Sequence, residues 1–321
     1  MKYAVIGTSA IAKEFVAAAA GSGLDLAGVC SRSAGRGTAF AAEIGQPGLT
    51  VYTGPDALAD AQDIEAVYIA SPNICHFEQC GRMLRAGKHA LCEKPLALNP
   101  QELTDLQALA AQHRRVLMEA IMYLHTPARR AVAEALPRLG RVTGVQFDFS
   151  QRSSRLDRLL AGELPNVFNP ALGGGALNDL GVYCFYPLLD FFGEPEALIA
   201  AHLRHDAPGA ADTSGAALLR YRDFDAVLNW SKSGQSRGVS QIIGENGTIC
   251  IGSISQFQGV ALHDRDGNAT PLSEPMSKVE VMHYEAHAFC QQCLTATAAQ
   301  PTALAQRVAQ WMEIIRKGSA K

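Results

Sequence analysis

The chain has 321 residues, of which 48% are apolar and 18% charged, enough to fill two ordinary cores and to exclude a disordered protein. Acidic and basic residues nearly cancel at a formal charge of -3, which excludes a broad attraction to nucleic acid or to an anionic membrane. The apolar tract "FVAAAA" at 15–20 is too short to span a bilayer.

The first 120 residues alternate strand and helix patterns. Short apolar runs at 2–7, 24–30, 49–53, 64–71, 88–93 and 115–120 read as buried strands. Helical stretches lie near 10–21, 34–44, 76–86 and 99–113, the last opened by Asn99-Pro100. This rhythm predicts a doubly wound parallel sheet, an α/β Rossmann domain over 1–121.

Its opening turn carries Gly7, Ser9 and Ala12 where the dinucleotide fingerprint places three glycines or two and an alanine. Thr8, Ser9, Ala10 and Ile11 then lead into a helix whose free amides suit a phosphate. The plain alternative is an ordinary strand-turn-helix. The second strand ends in Ser31, Arg32, Ser33 and Arg36, with no acid before Glu43. A guanidinium and hydroxyls there suit a ribose 2′-phosphate better than a free 2′-hydroxyl. NADP is therefore the expected cofactor, with NAD as the alternative; otherwise Arg32 is only a surface residue.

Glu93-Lys94-Pro95 stands at the end of the fifth strand. Buried strands seldom end in an ammonium, and the proline favours an extended Lys94. Such a lysine either serves the site or simply leaves the strand for solvent.

From about residue 122 the pattern changes. A helix near 127–137, a strand at 141–150 and a glycine-rich loop lead into a helix over about 175–191. Strands follow at 196–205, 215–221, 225–231, 238–245 and 248–252, joined by short turns that suit an antiparallel meander. Helices near 280–299 and 303–318 close an α+β domain over 122–321 with a large, mostly antiparallel open sheet. A sheet face left uncovered by helices predicts a homodimer or homotetramer.

Within "GGGALNDLGVYCFYP" at 173–187, Asp179 and Tyr183 are four residues apart and share a helix face. They are either a structural pair or part of a proton relay. Oxidising an alcohol requires a base for the hydroxyl proton, and a phenol of pKa about 10 needs a neighbouring cation to serve near neutrality. Lys94 is the cation of choice.

The blocks "VIGTSAIA" at 5–12, "AVYIASPNICHFEQCGRMLRAGKHALCEKPLALN" at 66–99, "LMEAIMYLHTP" at 117–127 and "GGGALNDLGVY" resemble the glucose-fructose oxidoreductase, inositol dehydrogenase and MocA family over essentially the whole chain. The resemblance implies a catalytic role for Lys94. It places Pro72, Asn73 and His76 along the nicotinamide side, with Ser71 a further cofactor-binding candidate, and gives Glu93 the cofactor ribose or Lys94 to hold. Tyr123 and His125 would line the substrate pocket, with Arg152, Arg155 and Asn166 as further candidates. Many members carry His where this chain has Tyr183, and the tyrosine resembles the branch of dihydrodiol dehydrogenase and glucose-fructose oxidoreductase. Ser9 departs from the family turn. The implied activity is hydride exchange with a sugar, polyol or cyclic vicinal diol; a non-catalytic dinucleotide sensor is the alternative.

His283, His287, Cys290 and Cys293 share one helix face. Four donors on one straight helix cannot surround a tetrahedral ion, so no metal is expected. The eight dispersed cysteines do not form the framework of a secreted scaffold, and are expected reduced in a cytoplasmic protein.

Overall fold

The computed structural model describes residues 1–295 and 301–318. Two compact units are present: Met1–His125 with the described part of Ser277–Gln306, and Thr126–Met276 with the last helix from Arg307 onward. The described residues of 277–306 thus pack with the first unit.

The first unit runs β1 (Lys2–Ile6), α1 (Ala10–Ala19), β2 (Asp25–Cys30), α2 (Ala34–Glu43), β3 (Thr50–Tyr52), α3 (Pro55–Ala59), β4 (Ala66–Ile69), α4 (His76–Arg85), β5 (His89–Glu93), α5 (Pro100–His113) and β6 (Leu117–Ala120). Its strands are all parallel in the order β3-β2-β1-β4-β5-β6. Every residue of β4 is buried, as a sheet covered on both faces requires. Asn99 caps α5 by accepting from the Glu102 amide at 2.9 Å, with Pro100 in the first turn. The strand order reverses between β1 and β4, and the carboxyl ends of the strands there form the ligand crevice of such sheets.

The second unit begins with α6 (Pro127–Ala135), β7 (Val142–Ser150), α7 (Leu156–Leu160) and α8 (Val182–Phe192). Strands β8 (Ala197–Arg204), β9 (Ser214–Arg220), β10 (Asp225–Ser231), β11 (Ser240–Gly244), β12 (Gly247–Ser253), β13 (Gln258–Asp264) and β14 (Ala269–Pro271) follow. The sheet order is β14-β13-β12-β11-β7-β10-β9-β8. The expectation of a simple meander is corrected here. The first strand, β7, inserts between β10 and β11, parallel to β10 and antiparallel to β11. Strands β13 and β14 were not anticipated, since β14 is three exposed residues whose extended form comes from pairing with β13.

The helix expected over 175–191 starts as a π-helical turn, Leu177–Gly181, before α8. Around it the core is built on Trp230, fully buried and 6.0 Å from the Phe185 ring. A Cβ on Gly181 would meet the Trp230 indole at 3.0 Å.

The chain then returns to the first unit with α9 (Lys278–Thr295), and positions 296–299 of the expected helix lie outside the described residues. Along α1, Lys278 pairs with Glu14 at 2.5 Å and a His283 ring nitrogen meets the Ala18 carbonyl at 2.8 Å. The last helix is α10 (Pro301–Gly318). Among the described residues the cysteines are all free of disulfides, no group of His, Cys, Asp or Glu is arranged to hold a metal ion, and no helix is long and apolar enough to cross a membrane.

Candidate active site

The turn between β1 and α1 accommodates Ser9 without strain. Gly7 has φ +111°, and a Cβ there would stand 2.6 Å from the Ala70 carbonyl oxygen, so only glycine fits. Ser9 has φ -78°, ordinary extended backbone that does not call for glycine. Its side chain makes no capping bond to α1 and reaches only the Ala70 carbonyl, at 3.5 Å. The first turn of α1 has neither a side-chain cap nor an acid, which leaves its amides and positive dipole end suited to a pyrophosphate. Ser9 and Ala10 are exposed, and Gly7, Thr8 and Ile11 half-buried. On this geometry the turn fits a dinucleotide.

After β2, Ser31 is buried and its amide donates to the Tyr52 carbonyl at 3.0 Å. Arg32 and Arg36 are exposed. The Ser33 hydroxyl accepts from the Arg36 amide and caps α2. Burial and Glu78 push the Cys75 thiol up while the Arg32 guanidinium opposes them.

That loop carries Ser71, Pro72 and Asn73. The Ser71 hydroxyl donates to Gln79 at 2.7 Å, Pro72 is exposed and Asn73 half-buried. His76 is fully buried, with one ring nitrogen 2.8 Å from the Pro95 carbonyl and the other 2.9 Å from the Ser71 carbonyl. Burial lowers its pKa against those two contacts, and Lys94 lowers it further. Neither nitrogen is left for a ligand. His76 ties the β4 loop to the strand end that carries Lys94.

Lys94 follows β5 directly and is half-buried, and its bond to Pro95 is cis. Behind it, Glu93 accepts a 2.5 Å hydrogen bond from Tyr68, whose ring stacks on Phe15 at 3.7 Å. Burial raises the Glu93 carboxyl, opposed by the Tyr68 bond, Lys94 and Lys278. Glu119 of β6 accepts the Leu96 amide at 2.9 Å and so fixes the turn beyond Lys94. Tyr123 and His125 lie in the 3-10 turn Met122–His125, Tyr123 fully buried and His125 half-buried.

In the second unit, Asp179 belongs to the π-helical turn and Tyr183 to the first turn of α8. Tyr183 is 7% exposed and meets Phe149 of β7 edge to face, ring centroids 5.5 Å apart. Such turns are frequent at functional sites, and this one is fixed at several points. Gly175, at φ +124°, brings the backbone against Asp212, whose carboxylate accepts the Leu177 amide at 2.7 Å. The Asn178 amide group donates to the Gly173 carbonyl at 3.0 Å and accepts from Arg316.

One residue was missed. Lys232, just after β10, forms an ion pair with Asp179. Its signal in "NWSKS" was the one used for Lys94, a lysine at the end of a buried strand.

Arg152, Arg155 and Asn166 are all exposed. Arg152 pairs with Asp157 at 2.6 Å, Arg155 precedes α7, and Asn166 begins a 3-10 turn.

A dinucleotide turn and a lysine at a strand end in the first unit, and an acid-tyrosine pair in the second, are the features expected of a nicotinamide-dependent oxidoreductase. Residues 1–121 match the model of the oxidoreductase family with the NAD-binding Rossmann fold, and 128–250 match the GFO/IDH/MocA C-terminal domain. The chain belongs to the GFO/IDH/MocA family of oxidoreductases. It is 37% identical over 290 residues to the uncharacterized oxidoreductase YgjR of Escherichia coli (strain K12), covering 90% of this chain and 87% of that one. It is 36% identical over 296 residues to scyllo-inositol 2-dehydrogenase (NADP(+)) IolU of Bacillus subtilis (strain 168), with the same coverage of 90% and 87%. Among solved structures, a 3-ketoreductase from Actinomadura kijaniata in complex with NADP and TDP-benzene superposes with a TM-score of 0.87 at 27% identity, over 99% of this chain and 97% of that one.

Proposed function

We propose that this oxidoreductase prefers NADP and exchanges hydride with a ring carbon of a sugar, polyol or cyclic vicinal diol. The observation that carries the reading is the presence of Lys94, Asp179 and Tyr183 together on a chain of this family. When bound, the cofactor supplies the hydride exchange at its nicotinamide. Tyr183 exchanges the proton of the substrate hydroxyl, Lys94 favours the phenolate and polarises the substrate oxygen, and Asp179 orients substrate or tyrosine. Gly7 through Ile11 hold the pyrophosphate, Pro72, Asn73 and His76 lie along the nicotinamide side, and Ser71 is a further cofactor contact. Glu93 steadies the cofactor ribose or Lys94, with Tyr123, His125, Arg152, Arg155 and Asn166 as candidate substrate contacts.

Support for NADP comes from the exposed Arg32 and Arg36 after β2 and from the NADP-dependent relative. The free cysteines favour the cytoplasm. In the second unit, β9 and β10 alternate buried with more exposed positions, including Ala216 and Val227. That face supports self-association, and sedimentation at micromolar concentration showing monomer alone would refute it.

The test is a fluorescence titration with NADPH and with NADH. Tighter NADPH binding that weakens in Arg32→Ala is the expected result, followed by turnover on an aldose, polyol and diol panel. Lys94→Met should abolish that turnover and leave cofactor binding largely intact. Unchanged turnover would remove Lys94 from the mechanism, and binding without turnover of any substrate would favour a sensor.

A further inference from the structure

Lys232 is 5% exposed, a costly place for an ammonium without a partner. Its Nζ is paired with Oδ2 of Asp179 and sits 6.0 Å from the centre of the Phe168 ring. The backbone at this residue is equally fixed. Its amide donates to the Thr213 carbonyl at 2.7 Å, and its carbonyl accepts the Ser153 amide at 2.8 Å. The next residue, Ser233, donates from its hydroxyl to Asp206 at 2.5 Å. Lys232 is therefore a rigid post at the end of β10.

What it holds is asymmetric. The Lys232 side chain is 6% exposed, but the Asp179 side chain it grips is 38% exposed. One carboxylate oxygen is engaged by a buried cation while the group as a whole stays accessible to a ligand. The backbone of the π-helical turn is set separately, through the Leu177 amide on Asp212 and the Asn178 side chain on Gly173 and Arg316. Backbone anchoring does not by itself fix the side-chain angles of an Asp. The ion pair with Lys232 restrains them.

We infer that Lys232 is a positioning residue that acts through Asp179, holding its carboxylate as a fixed acceptor for a substrate hydroxyl. The inference rests on the proposed oxidoreductase reading and adds to it a division of labour. Asp179 is held in place to orient, while Tyr183, packed edge to face on Phe149, carries the proton. The Ser153 contact extends the same post to the segment that carries Arg152 and Arg155.

The test compares wild type with Lys232→Met, Asp179→Asn and the double variant, in kcat and KM for the best substrate of the aldose and polyol panel and in Kd for NADPH. Methionine leaves no buried charge, and the accessible Asp179 is open to hydration, so the fold is preserved. Misplacing an orienting group by about 1 Å is expected to lower kcat/KM about a hundredfold, with about tenfold or more of it in KM. NADPH affinity should be unchanged, and the double variant should be no worse than Asp179→Asn, since the two residues act as one unit. A local structural defect instead lowers the active fraction, so it reduces kcat and leaves KM alone. A KM within about twofold of wild type in Lys232→Met, too small a change for a lost alignment, overturns the inference whatever happens to kcat or the melting temperature. If the wild-type chain binds NADPH but turns over nothing on the panel, the functional reading fails and takes this inference with it.

Discussion

Glu285 offers the sharpest physical test of the first unit. It lies on α9, fully buried, and among the described residues neither carboxylate oxygen has a hydrogen-bond partner. Burial raises its pKa well above the ordinary carboxylate range, and the nearby charges of Glu93 and Glu119 raise it further. The folded protein therefore keeps a proton on Glu285 that the unfolded chain releases above about pH 4.3. Between that pH and the folded-state pKa the native state binds more protons, so stability falls as pH rises, by about 1.4 kcal/mol per unit. Glu285→Gln keeps the shape and removes the titration. Its stability relative to wild type should therefore improve by up to about 2.5 kcal/mol between pH 5 and pH 7. Urea melts of both proteins at pH 5, 6 and 7 measure this directly, and any fixed cost of the buried amide appears as a constant offset. A difference independent of pH over that range would mean that Glu285 is ionised and compensated in the folded state, and the burial argument would be refuted.

Other perturbations follow from the same geometry. Arg129 forms a two-pronged pair with Asp190, both bonds 2.7 Å, and the Asp190 side chain is 8% exposed. Arg129→Leu removes both of these bonds and should cost about 2–3 kcal/mol, less than a fully buried pair because the arginine is partly solvated. An urea midpoint within error of wild type would contradict this. Gly7→Ala sets a Cβ against the Ala70 carbonyl at a positive φ, a strain of about 1–3 kcal/mol. NADPH affinity should weaken about tenfold or more, since about 1.4 kcal/mol is a factor of ten. Ser9→Gly, at a position whose φ is ordinary, should change affinity far less, and a large gain in the NADPH titration would show that the serine obstructs the phosphate.

Local pattern was enough for the first sheet. The six strands, most of their helices and the Asn99-Pro100 start are written in short apolar runs and cap residues that act within a few positions. So were Gly7, Lys94 and the Asp179-Tyr183 pair, because each sits at a strand end or a helix start that sequence can locate. The insertion of β7 between β10 and β11 was not legible, since strand order depends on pairing between segments some 80 to 100 residues apart. The return of α9 to α1 is likewise a long-range packing choice. The ordinary φ of Ser9, the burial of His76 between two carbonyls and the grip of Lys232 on Asp179 all depend on where distant backbone arrives. Sequence thus determined which residue types the chemistry has available and on which elements they ride. Tertiary structure alone decided which are held as supports and which stay open to a ligand, because burial and hydrogen-bond partners are properties of the packed chain.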